Sequence, residues 1–371
     1  MPSSVRLYLD PGDAFTKALA RSDTRRTRVR FPSVVARGLL QGGPEMSQLL
    51  LDAREALLRP TAFQRDDYPR TRSFPGADAF VQEVRQRPPG PASRFAGRLA
   101  AVYGADREML GTHPTPENID ALVHKALMLL CGDADRCDVE ATFVVDAGAK
   151  ALAMKHYVET LPKTAVIERR SYRRREPRRL EMSLRGNLID AAQCIAAVLP
   201  AETELERLGR LLFVDVGYFR TKLAVVSRDG CEHQEQLDRF GAFDCVRRIL
   251  RDEQEQGLVE DEYAVLLALE EARSGVLQIA GRRFDIQRAL GSARVALEQE
   301  LARAVQRVIV EDYGRGGDMC RAVVVIGGGA ALMGQGLAQR LQTRELGVST
   351  LRVGCDTPYW LVEGAERCGN H

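Results

Sequence analysis

Two aspartates, each followed at fixed offsets by a glycine, a threonine and a lysine, are the residues of this chain best suited to chemistry. Asp10-x-Gly12-x-x-x-Thr16-Lys17 recurs as Asp215-x-Gly217-x-x-x-Thr221-Lys222, 205 residues further on. A carboxylate at a strand end can hold a divalent cation, directly or through its waters. Glycine lets backbone N–H groups come close to phosphate oxygens. Threonine can donate a hydroxyl hydrogen bond, and lysine supplies a point charge. Together they suit a metal-bound polyphosphate, with Asp10 and Asp215 as the metal ligands and one of them also able to polarise an attacking water. The pattern D-x-G is common in turns, so either copy alone reads equally well as a tight hairpin with a solvated lysine. Four identities in both copies argue for the ligand, and two copies imply two related halves closing on it from opposite sides.

A third candidate is Gly327-Gly328-Gly329-Ala330, which follows the apolar run Arg321–Ile326 and precedes a helix expected over Ala331–Leu341. Consecutive glycines between a strand and a helix suit a nucleotide's phosphate, ribose or base lying on the backbone. Tight strand–helix packing is the alternative. Neither the G-x-x-x-x-G-K-[ST] loop nor a correctly spaced G-x-G-x-x-G occurs, which disfavours a P-loop and dinucleotide binding.

These residues need strands to carry them. Apolar runs at Val5–Leu9 and Leu211–Val214 precede the two motifs, and the second returns through Leu223–Val226 to a turn at Asp229-Gly230. That is a strand, loop, strand hairpin. Thr27–Val35 contains Pro32 and reads as an edge or irregular strand. Residues 41–98, rich in glycine, proline and arginine, predict broken strands and mobile loops. Apolar spacing predicts helices over Glu117–Cys131, Phe243–Leu250 and Val295–Ile309. Glu140–Val145 reads as a strand and Lys150–Leu161 as mixed helix and loop. Seven arginines lie between Arg169 and Arg179, a run whose default reading is a solvated, charged hairpin.

Composition bounds the rest. With 371 residues, 45% hydrophobic and 28% charged, the chain is long enough for two ordinary globular domains. A net charge of +2 argues against a surface coated with basic charge for nucleic acid, although it allows a local patch. Only six of the 53 basic residues are lysines, and two of those six close the repeated motif. No window approaches eighteen apolar residues, so no membrane span is expected, and the N-terminus lacks the pattern of a secretory signal. Chemistry on a cellular nucleotide fits a cytoplasmic home. The eight cysteines form no C-x-x-C pair or zinc spacing and read as free thiols.

The order Asp10…Lys17, a glutamine-containing apolar segment, Asp215…Lys222 and Gly327-Gly328-Gly329-Ala330 resembles the actin-like ATPases, a group with actins, the Hsp70 ATPase domain and sugar kinases. Phe31-Pro32-Ser33 after the first loop is similar to the plasmid-segregation actins of the ParM/StbA type. The stretch Asp356–Gly364 resembles the family's closing helix. The resemblance implies an α/β fold of two related RNase H-like domains with an interdomain nucleotide cleft. Domain I would span 1–205, with a C-terminal helix at 345–371 returning to it, and domain II would span 206–344. It implies ATP and Mg2+ as ligands, Gly12, Thr16, Lys17, Gly217, Thr221, Lys222, Gly327, Gly328, Gly329 and Ala330 at the nucleotide, and Asp10, Asp215 and Gln193 in hydrolysis. Gln193 would position the water, although a helix-surface glutamine is the alternative.

The implied function is an ATP-hydrolysing filament that segregates plasmid DNA through a DNA-bound adaptor, with no membrane partner and direct DNA contact left open. A small-molecule kinase of the same superfold and a nucleotide-gated scaffold are the alternatives. Two departures stand out: Pro11 and Asp13 flank Gly12, and Tyr218-Phe219-Arg220 brings bulk where many relatives have small residues. The second leaves the hydrolysis rate open.

Overall fold

The computed structural model describes residues 3–22, 25–36, 38–39, 83–84, 94–97, 100–101, 104–131, 135–146, 148–171, 174–198, 209–227, 230–238, 240–254, 276–279, 282–312, 320–330, 336–337, 339–340, 350–353 and 359–369. The chain divides into two compact units, Met1–Cys194 with Leu361–His371, and Ile195–Trp360.

The apolar run before Asp10 alternates with charge, so Val5, Leu7 and Leu9 share one face, as a half-buried strand requires. This run lies in β1 (Ser3–Pro11), which pairs antiparallel with β2 (Phe15–Arg21), and β2 pairs antiparallel with β3 (Arg26–Pro32). β3 is the edge of this sheet, where Pro32 costs no ladder bond. Short strands β4 (Val34–Ala36), β5 (Gly38–Leu39), β6 (Glu83–Val84), β7 (Arg94–Ala96), β8 (Gly104–Ala105) and β9 (Glu108–Met109) follow. Much of the stretch read as broken strands and loops, including 40–82, lies outside the described residues.

Helix α1 (Pro116–Leu130) begins where Thr115 accepts a hydrogen bond from the Asn118 amide and Pro116 opens the first turn. Its face of Ile119, Leu122, Val123, Ala126 and Leu127 is buried against Leu7, Leu9, Phe143 and Leu184 of the sheet. Strand β10 (Arg136–Val145) runs parallel to β1, helix α2 (Ala149–Glu159) follows, and β11 (Lys163–Ser171) with β12 (Arg174–Asp190) form a hairpin. β12 is parallel to β10, and α3 (Ala191–Val198) leaves its end.

The second unit repeats this plan. Strands β13 (Arg210–Val216), β14 (Arg220–Ser227) and β15 (Gly230–Asp238) form an antiparallel meander. Helix α4 (Ala242–Gln254), the hairpin β16 (Val276–Ile279) and β17 (Arg282–Asp285), and α5 (Gln287–Arg307) precede β18 (Cys320–Ile326), which is parallel to β13. A π-helical turn, Val308–Asp312, ends α5. β19 (Thr350–Val353) adds parallel to β18. Leu297, Leu301 and Val305 of α5 close the core over Leu212, Val214, Val323 and Val325.

Read from the meander edge, both sheets have the order third, second, first, fourth and fifth strand with the same senses, and the first sheet adds β11 at its far edge. Two units with one strand plan are what the repeated motif predicts.

The helix expected over 345–371 is shorter than that span. Residues Thr350–Val353 extend the second sheet, where their pairing with β18 satisfies the backbone, and helix α6 covers only Trp360–Cys368. The first part of the helix expected over Ala331–Leu341 lies outside the described residues, as do Asp356–Pro358.

Candidate functional site

Both copies of the repeat form a hairpin, and the spacing has a direct geometric meaning. Asp10 is the register partner of Lys17, and Asp215 is the register partner of Lys222. Pro11 and Thr16 pair in the first hairpin just as Val216 and Thr221 do in the second. The motif therefore sets an acid and a base side by side at the mouth of a four-residue loop. In unit 1 they touch: Lys17 Nζ donates to Asp10 Oδ2 at 2.9 Å, with both side chains largely buried.

The glycines are demanded by the loops themselves. A Cβ on Gly12 would stand 2.5 Å from the Phe15 carbonyl oxygen, and one on Gly217 would stand 2.7 Å from the Arg220 carbonyl oxygen. The threonines also act within their hairpins. The Thr16 hydroxyl, fully buried, lies 2.8 Å from the Ser33 hydroxyl. Thr221 donates its single O–H to the Phe240 carbonyl, which leaves no hydroxyl proton for a phosphate. The hydroxyls of Thr16 and Thr221, both expected at the nucleotide, here hydrogen-bond to the segment that follows each hairpin.

The bulk of Tyr218 and Phe219 is absorbed inside unit 2. Both rings pack against Phe243 at centroid distances of 5.3 and 5.0 Å, and the Gly217 and Tyr218 carbonyls accept from the Ala242 and Phe243 amides at the start of α4.

The glycine run meets the second hairpin. Gly327 has φ +94°, and a Cβ there would fall 2.3 Å from Asp215 Oδ1 and 2.5 Å from the Val216 carbonyl oxygen. The Gly329 amide donates to the Val216 carbonyl at 2.8 Å. Gly328 is exposed and Ala330 is fully buried. Asp215, Gly217, Lys222 and the run 327–330 thus share one sheet edge, at the C-terminal ends of the parallel strands β13 and β18.

Unit 1 has the matching edge at the ends of β1, β10 and β12, and it carries residues that the sequence reading passed over. Lys150, buried at the start of α2, sits 3.5 Å from Asp13 Oδ1 and 3.6 Å from Asp146 Oδ2. Asp190 ends β12 and accepts from the Ala192 amide at 2.7 Å. Burial, helped by the nearby Cys368 thiol and the Asp10 and Asp190 carboxylates, pushes the Cys194 thiol far above its ordinary range, which marks Asp10 and Asp190 as neighbours of one cysteine. The missed signal is Asp146-Ala147-Gly148-Ala149-Lys150, another Asp-x-Gly after an apolar strand. Gln193 is exposed on α3, and its carbonyl accepts from the Cys368 thiol at 3.8 Å.

The residues present suit a hydrated cation. Asp10 pairs with Lys17, and Asp13 and Asp146 both flank Lys150, so carboxylates outnumber ammonium groups in these contacts. Among the described residues no three potential ligands converge on one point. Carboxylate oxygens of this kind are what a hard, hydrated cation takes.

No protein-family model matches the chain, and no curated protein matches it in sequence. Solved structures do match over its whole length. Ta0583, an archaeal actin homolog, is similar with a TM-score of 0.66 at 16% identity, with 99% of each chain covered. A subunit of a 15-stranded ParM filament from Clostridium botulinum has a TM-score of 0.65 at 15% identity, covering 99% of this chain and 100% of that one. Bacillus thuringiensis ParM with AMPPNP has a TM-score of 0.63 at 12% identity, with 99% of each covered. The chain has the actin-like fold. In that fold the duplicated sheets, and the loops at their matching edges, are explained together. Among the described residues no helix is long and apolar enough to cross a membrane.

Proposed function

We propose that this actin-like chain binds and hydrolyses Mg-ATP through both units and assembles into filaments that segregate plasmid or other DNA. The observation that carries the reading is the repeated acid–base hairpin, placed at the same position of two sheets with one strand plan, with Gly327 pressed against the second aspartate. Two loops of one design suit a ligand that both units hold. The backbone run 327–329 offers the flat, side-chain-free surface that a nucleotide needs.

In this reading Asp10 and Asp215 hold the magnesium ion through its waters, and the ion offsets charge on the terminal phosphates. Lys17 and Lys222 supply positive charge beside the same phosphates, with Lys17 paired to Asp10. Gln193 and Asp190, both at the β12–α3 junction, are the candidates for orienting water. Among the similar structures one ParM forms a 15-stranded filament and another is bound to AMPPNP, which supports extending assembly and nucleotide binding to this chain. A DNA-bound adaptor is the partner that this role would require.

Sedimentation and electron microscopy with ATP, ADP and no nucleotide, run beside phosphate release, test the proposal. Polymer that forms with ATP and phosphate release abolished in Asp215→Ala is the expected result. Turnover stimulated by a metabolite without polymer would assign a kinase instead, and binding without release would assign a scaffold.

A further inference from the structure

Strands β11 and β12 continue past the sheet to which they belong. β12 pairs with β10 only from Glu181 to Asp190, and the residues before it, Arg174–Leu180, have β11 as their partner strand among the described residues. The result is a two-stranded ribbon, 167–171 against 174–180, about 17 Å long at the usual rise of a strand. Six of its residues are arginines, and a seventh, Arg173, falls between the two strands in sequence, outside the described residues.

Its register sets like charges side by side. Arg169 stands directly opposite Arg178, an arrangement of like charges that weakens a strand pair. Glu168 opposite Arg179 is the one paired position of opposite sign. The ladder is irregular between Arg169 and Ser171, where Pro177 on the other strand has no amide to donate. Residues 168–179 carry seven arginines against Glu168 and Glu176, a local charge of +5, while the whole chain carries only +2. Everything outside the ribbon therefore sums to −3. A compact polycation on an otherwise acidic body orients towards a polyanion.

We propose that this ribbon is a binding site for the phosphate backbone of double-stranded DNA. Arg169, Arg174 and Arg178 occupy register positions on one face and Arg170 and Arg179 on the other, so charge is carried by both strands and both faces. The major groove of B-form DNA admits a two-stranded ribbon and flanks it with phosphates on either side. Arginine pairs with phosphate through two parallel hydrogen bonds. A flat acidic protein surface would meet only one face. Direct contact of this kind adds to any adaptor, and it does not depend on the nucleotide site.

The test is fluorescence anisotropy of the full chain, without nucleotide, against a labelled 25-base-pair DNA of arbitrary sequence at 50–200 mM KCl. With about four phosphates engaged, affinity should fall roughly 100-fold across that range. The single substitution Arg178→Gln, which relieves the like-charge pair, should reduce the slope of log K against log salt by about one. Arg169→Gln/Arg170→Gln/Arg178→Gln/Arg179→Gln should lose at least about ten-fold in affinity and most of the salt dependence. Arg6→Gln/Arg136→Gln, on the sheet, should change neither. Duplex RNA should bind more weakly, because its major groove is too narrow. Unchanged slopes in both ribbon variants, equal binding of duplex RNA, or equal competition by polyglutamate would overturn the proposal, the last by assigning an acidic protein partner.

Discussion

Gly327 shows how much a single residue decides at this site. Its positive φ and its closeness to Asp215 leave no room for a side chain, so Gly327→Ala should displace the aspartate as well as strain the backbone. ATP binding measured by titration calorimetry should weaken at least about ten-fold, while the far-ultraviolet spectrum stays unchanged.

A second residue-scale expectation concerns His124, fully buried on α1 with its Nε2 3.6 Å from Asp120 Oδ1. Lys163 and the Tyr157 hydroxyl hydrogen-bond to Asp120, while His124 stands beyond hydrogen-bond distance of it. Burial pushes the His124 pKa down; Asp120 eases that shift and Lys163 adds to it. The unfolded chain therefore takes up the proton first. Stability conferred by neutral His124 is complete above about pH 6.5 and is lost as pH falls through the depressed folded value. Melting temperature should decline on acidification from pH 7.5 to 5.5, and His124→Gln should flatten that decline. Asp120 acts with the same sign at much lower pH, because Lys163, His124 and Tyr157 together outweigh the burial that would raise its pKa.

At the scale of elements, α6 is held to the first sheet by charge and by a close helix crossing. Glu366, itself buried, accepts from Arg26 Nη2 at 2.7 Å and from Arg26 Nε at 3.0 Å, and Glu363 accepts from Arg28 at 3.1 Å. The exposed arginines make the pairs worth little alone. Gly364 contributes more: a Cβ there would lie 2.0 Å from the Cys194 carbonyl oxygen of α3. Gly364→Ala should cost about 3 kcal/mol, read as a loss of melting temperature, because neither backbone can yield cheaply.

The elements were legible in the sequence wherever periodicity was strong. The face of α1, the run before Asp10 and the Pro32 edge all follow from local pattern. The strand at Thr350–Val353 did not, because four residues read as strand only once β18 is beside them. The two hairpins were legible in the sequence, and the contacts within them less so. Asp10, Lys17, Asp215 and Lys222 stand together in each hairpin as their spacing implies, but a sequence cannot show that Thr221 spends its proton on Phe240 or that Gly12 clears Phe15. Lys150 escaped notice because its Asp146-x-Gly148 pattern differs from the repeat in the offset of its lysine and in lacking the threonine, and only the fold brings Asp13 beside it.

For the molecule as a whole, the duplication is the fact that organises everything else. Two sheets of one strand plan present two copies of one hairpin, and the actin-like fold explains why they persist so far apart in the chain. The central claim is that both hairpins serve one Mg-ATP. It is tested by ATP binding with and without Mg2+ in the wild type, Asp10→Ala and Asp215→Ala. Either substitution alone should abolish the Mg2+-dependent part of binding, since the proposal gives both aspartates the same ion. Full Mg2+-dependent affinity in either variant, with the fold intact, would contradict it.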